Sequence, residues 1–202
     1  MGKLKSKMTK FINEKGKGSK PNAAKEAQKW YSKALRSFRD NSVAKAKILP
    51  FMPGKIYVFR YDNPKTLDYL AWWDRNPVVL ALDPVGNNDC GINLNLLPLE
   101  IKEQLLDDVY TKLSSMIESE IKGNEKNANY QGQLDITYEG AKKYLDKYGF
   151  GFAVRQYVPE LKRKQAVVSY ENWHLIALCD FIELEGASLA SIQRQFRDYN
   201  KK

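Results

Sequence analysis

The positive charge of this chain is gathered at one end, and that divides the sequence before any element is assigned. Residues 1–47 hold twelve Lys and two Arg against Glu14, Glu26 and Asp40, a net +11. Residues 48–202 carry 19 basic and 21 acidic residues, a net −2. A segment so dense in one sign of charge stays solvated and repels itself. The principal core must therefore come from the near-neutral remainder, and with 43% apolar residues the chain has the material for one ordinary domain.

Within residues 1–20, Lys3, Lys5, Lys7, Lys10, Lys15, Lys17 and Lys20 are interspersed with Gly, Ser and Thr. Little apolar surface is on offer to offset ordering the backbone, which predicts a flexible arm. Residues 21–47 read as an amphipathic basic helix. Asn22 after Pro21 is the expected N-cap. Ala23, Ala27, Trp30, Ala34 and Phe38 recur on one face, flanked by Tyr31 and Leu35. Lys25, Lys29, Lys33 and Arg36 fall nearly opposite, with Glu26 the one acid at the edge of that face. Such a row of cations suits a phosphate backbone and needs no fixed base contacts.

Residues 48–202 read as a single α+β domain. In the stretch 55–61, Tyr57, Phe59 and Tyr61 alternate with Ile56, Val58 and Arg60, a strand with one aromatic face. Residues 77–83 are continuously apolar apart from the final Asp83, a strand buried on both sides. A turn at Gly86 to Asp89 leads to a third strand at 91–96. Pro98 opens a long Leu-rich helix to about Lys122, and Gly123 stops it. Thr137 caps a short helix, residues 165–170 and 175–182 read as strands, and Ser188 caps a last helix. The sum is a small curled antiparallel sheet or SH3-like barrel with inserted helices, preceded by the basic arm and helix.

Chemistry-bearing constellations are sparse. His174, the one histidine, lies in the apolar run NWHLIAL without a nucleophile signature, so its expected role is structural. Cys90 and Cys179 lack metal-ligand spacing with it and are expected as buried free thiols. Asp62, Asp68, Asp74, Asp83 and Asp89 invite comparison with a magnesium nuclease, but they sit at strand ends and turns, where Asp is favoured locally. No phosphate-cradling glycine motif is present, and no catalytic residue, metal site or cofactor is expected. Trp72 and Trp73 read as anchors of a protein interface. Lys162, Arg163 and Lys164 form a second basic cluster, a further candidate DNA contact. No apolar run reaches the roughly 18 residues of a membrane span.

PGKIYVFRYDNPK (53–65), LAWWDRNPVVLAL (70–82) and GINLNLLP (91–98), followed by the Leu-rich helix, resemble the small virion proteins of T4-like tailed phages, the DNA end-protector and head-completion group. Trp173 and IELEGASLASI (182–192) match the end of that pattern, so the resemblance extends over about residues 25–199. Asn95-Leu96 stands where the family pattern has a His-Tyr pair, and Asn76 where it has an aromatic. The resemblance implies no catalytic residue. It implies a non-enzymatic virion protein, assembled in the host cytoplasm, that docks in the head or neck region among other virion proteins. Its expected partner is double-stranded DNA, bound through phosphates without regard to sequence. A purely structural neck, tail or baseplate subunit is the alternative, and a metal-dependent nuclease a second.

Overall fold

The computed structural model describes residues 2–40, 49–61, 74, 76–113, 137–179, 190, 191 and 194. Two compact units emerge, one comprising Met1–Ala44, Pro98–Asp135 and Val168–Asp180, the other Lys45–Leu97, Ile136–Val167 and Phe181–Lys202. This partition differs from the division into arm, helix and single domain that composition suggests.

The first unit is helical. α1 spans Lys3–Glu14, α2 Lys20–Asp40, α3 Leu99–Lys112 and α5 Trp173–Leu178. α1 packs on α2, α3 and α5, and α5 also packs on α2 and α3. α1 occupies the stretch expected to be a flexible arm. The reason is visible in the spacing: Leu4, Met8, Phe11 and Ile12 share one helical face, with Leu4 and Met8 fully buried. Its N-terminus lacks a capping side chain of its own, and Asp107 of α3 supplies one. The Lys5 amide donates to Asp107 Oδ1 at 3.1 Å, so a carboxylate sits at the positive end of the helix. A Cβ on Gly2 would stand 2.2 Å from that same oxygen, so a side chain there would push the Asp107 carboxylate out of place.

α2 begins at Lys20, so Asn22 lies inside the helix instead of capping it. Pro21 is tolerated there because amides of the first turn have no intrahelical acceptor. The buried stripe runs through Ala23, Ala27 and Tyr31, while Trp30 is half-buried and Ala34 exposed. The stripe is therefore rotated from the expected one toward Tyr31. Residues 175–178, expected as a strand, are the helix α5; a short apolar run does not distinguish the two by periodicity. Trp173 is fully buried there against Tyr170 and Tyr110.

The second unit carries the sheet. β1 spans Ile56–Tyr61, β2 Val78–Val85, β3 Asn88–Asn93, β4 Val154–Tyr157 and β5 Lys162–Val168, in the order β4-β3-β2-β1-β5. β1–β2, β2–β3 and β3–β4 pair antiparallel. β2 and β3 join through Gly86-Asn87, with Gly86 at φ +59°, where a side chain would be strained. β3 thus begins and ends earlier than the expected 91–96, and Leu94–Leu96 form a 3-10 turn. α4, Tyr138–Asp146, lies across β2, β3 and β4 with Ala141 and Leu145 inward, and Thr137 Oγ1 accepts from the Gly140 amide as its cap.

The aromatic face of β1 builds the core of this unit. Phe51, Tyr57, Phe59, Tyr61 and Tyr157 cluster with Val79 and Ala81. Phe59 and Tyr157 meet edge to face at 5.2 Å, and Tyr61 and Tyr157 at 5.4 Å. β1 and β4 are three places apart in the sheet, about 14 Å in a flat one. Their rings touch, so the sheet curls around them. It does not close: the result is the expected α+β class with a curled antiparallel sheet, not a barrel. No helix among the described residues is long and apolar enough to cross a membrane.

Candidate nucleic-acid interface

The candidate cationic residues of the first unit divide by what their side chains do. Those of α1, the turn after it and the first residue of α2 are partly engaged within the unit. Lys5 Nζ lies 3.8 Å from Asp107, Lys7 Nζ donates to the Tyr110 hydroxyl at 3.0 Å, and Lys20 pairs with Glu103 at 2.9 Å. Lys10 lies 3.9 Å from Glu14 one turn on, an exposed pair worth a few tenths of a kcal/mol. Lys3, Lys15 and Lys17 are exposed.

α2 presents a different surface. Lys25, Lys29, Lys33 and Arg36 are all exposed and, with Gln28 and Ser32, line a shallow groove along the helix. The row advances about 16 Å from Lys25 to Arg36 at 1.5 Å per residue. Lys29 also reaches Glu26 at 2.7 Å, so the one acid beside the row is neutralised from within it. Lys25, Lys33 and Arg36 have no ion pair with any residue whose side chain is described, those of residues 37–40 lying outside that set. Gln28 and Ser32 did not stand out in the sequence as site residues, although their helical positions, three and seven after Lys25, place them on the same face. Both offer neutral donors to an oxyanion.

The second basic cluster is not a uniform surface. Lys162 is fully buried and paired with Asp89, its Nζ 4.3 Å from the centre of the Phe51 ring and 3.3 Å from the Leu49 carbonyl. It is therefore withdrawn from any phosphate. A buried ammonium needs such partners, and Asp89 in turn accepts the Phe51 amide at 2.9 Å. Arg163 and Lys164 are exposed, with the Arg163 guanidinium donating to the Lys162 carbonyl at 2.9 Å. Trp72 and Trp73 lie outside the described residues.

The described carboxylates among those considered for metal chemistry do not form a cluster. Asp62 and Asp68 lie outside the described residues, Asp83 is exposed, and Asp89 is in the Lys162 pair. Asp74 accepts from Asn95 at 2.6 Å, Asn93 at 3.1 Å and the Asn76 amide at 3.1 Å. Desolvation raises its pKa, and these hydrogen bonds pull the other way. Asn95 thus serves this carboxylate through its side chain, and Asn76 through its backbone amide alone. Among the described residues no three metal-ligating side chains converge. Cys90 and Cys179 are both buried, and neither forms a disulfide among the described residues.

No curated protein and no solved structure matches the chain significantly. The profile of one family, the phage T4 terminal DNA protecting protein, matches residues 2–148, taking in α1 to α4 and β1 to β3. That is the same kinship as the sequence blocks at 53–98 indicate; the match begins nearer the N-terminus than residue 25 and ends at 148, so it does not take in Trp173 or the 182–192 element. With most of its length matched, the chain belongs to the phage T4 terminal DNA protecting protein family.

Proposed function

We propose that this protein is a non-enzymatic phage protein that guards DNA ends by occupying them. The observation that carries the reading is the unbroken cationic row Lys25, Lys29, Lys33 and Arg36 on a helix inside the matched region. Occupancy alone blocks an exonuclease, so no active site is required. Affinity comes from neutralising phosphates and releasing their counterions, which is steeply salt-dependent and blind to sequence. Lys3, Lys15 and Lys17 extend the cationic surface of the same unit, while Lys5, Lys7, Lys10 and Lys20 mainly hold or balance it. Arg163 and Lys164 remain secondary candidates for DNA contact.

In this reading the protein travels in the virion, having been assembled in the host cytoplasm, and docks in the head or neck region against other virion proteins, with Trp72 and Trp73 facing them. A purely structural subunit is favoured by one observation, that Lys5 and Lys7 of α1 and Lys20 at the start of α2 engage Asp107, Tyr110 and Glu103. The two readings separate in an exonuclease assay on linear duplex. The wild-type chain should slow digestion from the ends, and Lys25→Ala/Lys29→Ala/Lys33→Ala/Arg36→Ala should lose most of that protection while keeping its fold. Equal protection by the variant, or none by the wild type, contradicts the reading. Cutting by the protein itself with Mg²⁺ would point instead to the nuclease alternative.

A further inference from the structure

A cationic row holds duplex interior and duplex end alike, so guarding ends needs a second element. We propose that Trp30 supplies it, its indole stacking on the terminal base pair while the cations beside it hold the flanking phosphates. The inference rests on the DNA-binding reading above and deepens it.

The placement of Trp30 is the starting point. The buried stripe of α2 runs through Ala23, Ala27 and Tyr31, and Trp30 lies to one side of it, toward Lys33. Lys33 is three residues on and therefore its neighbour on the helix surface. The largest side chain of α2 is left half-buried on the border between the packed face and the cationic one. Ala34, one turn further along the same border, is exposed and adds no bulk there. Among the described residues the indole makes no hydrogen bond and no ring contact, unlike Trp173, which packs against Tyr110 and Tyr170. Glu26, one turn before Trp30, would repel a phosphate, but Lys29 pairs with it.

The chemistry selects an end. Every base presents the same kind of π face, so stacking on an indole is tolerant of sequence. In the interior of a duplex that face is covered by the next base pair, and only a terminal pair shows it. A rigid aromatic next to cations thus meets both features of an end at once, the open face and the phosphates behind it.

The test compares a blunt linear duplex with a duplex of equal length closed at both ends by hairpin loops, using the full chain. The wild type should bind the open duplex about five- to a hundredfold more tightly, the range of one base–aromatic stack. Trp30→Leu, which keeps apolar bulk without a π face, should erase that preference and leave binding to the closed duplex unchanged. Trp30→Phe should retain much of it. In the wild-type complex, 2-aminopurine at the terminal pair should change its emission on binding, and the same probe in the interior should not. A preference that survives Trp30→Leu, or a silent terminal probe in the bound wild type, overturns the inference while leaving DNA binding intact. Equal wild-type binding to open and closed duplex does the same. Failure to bind either duplex overturns the underlying reading as well.

Discussion

The smallest features already decide how this protein responds to its surroundings. His174 packs edge-on against Phe11, ring centres 5.5 Å apart. Desolvation holds its pKa below the ordinary 6.5, and the nearby positive charge of Lys7 acts in the same direction. The folded chain therefore keeps the imidazole neutral at pH values where the unfolded chain takes up a proton. Its contribution to stability is complete above about pH 6.5 and declines as the pH falls through that value toward the folded pKa. Because this is the one histidine, the effect can be isolated. Urea unfolding at pH 7.5 and pH 5.5 should show the wild type losing stability on acidification, by at most about 1.4 kcal/mol per pH unit from this group. His174→Phe should lose less over the same interval. Equal slopes for the two proteins would contradict the assignment.

At the scale of elements, β5 depends on a buried charge. Lys162 begins that strand, and Asp89 lies on β3, so the pair ties β5 and the Phe51 segment to the middle of the sheet. Lys162→Met strands a buried carboxylate and should cost about 3–5 kcal/mol in urea unfolding. A cost below about 1 kcal/mol would mean that Asp89 finds another partner. This pair also shows where sequence reasoning stops. Lys162-Arg163-Lys164 reads as a solvated cluster because nothing local reveals an acid 73 residues earlier. β1 and β2 were legible because a period of two, aromatic on one side, and an unbroken apolar run each dictate burial. α1 reads as an arm because its many lysines outweigh the helical repeat of Leu4, Met8, Phe11 and Ile12 that the same stretch contains. The cationic face of α2 followed directly from its periodicity, whereas the half-exposed position of Trp30 depends on which neighbours pack against the helix.

For the whole molecule the governing fact is the uneven distribution of charge. A net +11 over residues 1–47 against −2 over the rest gathers the positive charge in one region and leaves the remainder near neutral. Folding does not dissipate that excess. It commits Lys5 and Lys20 to acids of α3 and leaves Lys25, Lys33 and Arg36 exposed. On the proposed reading, the surface that meets DNA is thus a helix face with defined spacing, not the loose arm that composition suggests. The most direct test is the salt dependence of binding to a linear duplex by the full chain. The wild type should show a steep linear fall of log K with log salt, at about 0.9 per phosphate contacted. Lys25→Ala/Lys29→Ala/Lys33→Ala/Arg36→Ala should flatten that slope by about three to four. A variant slope equal to that of the wild type would contradict the account.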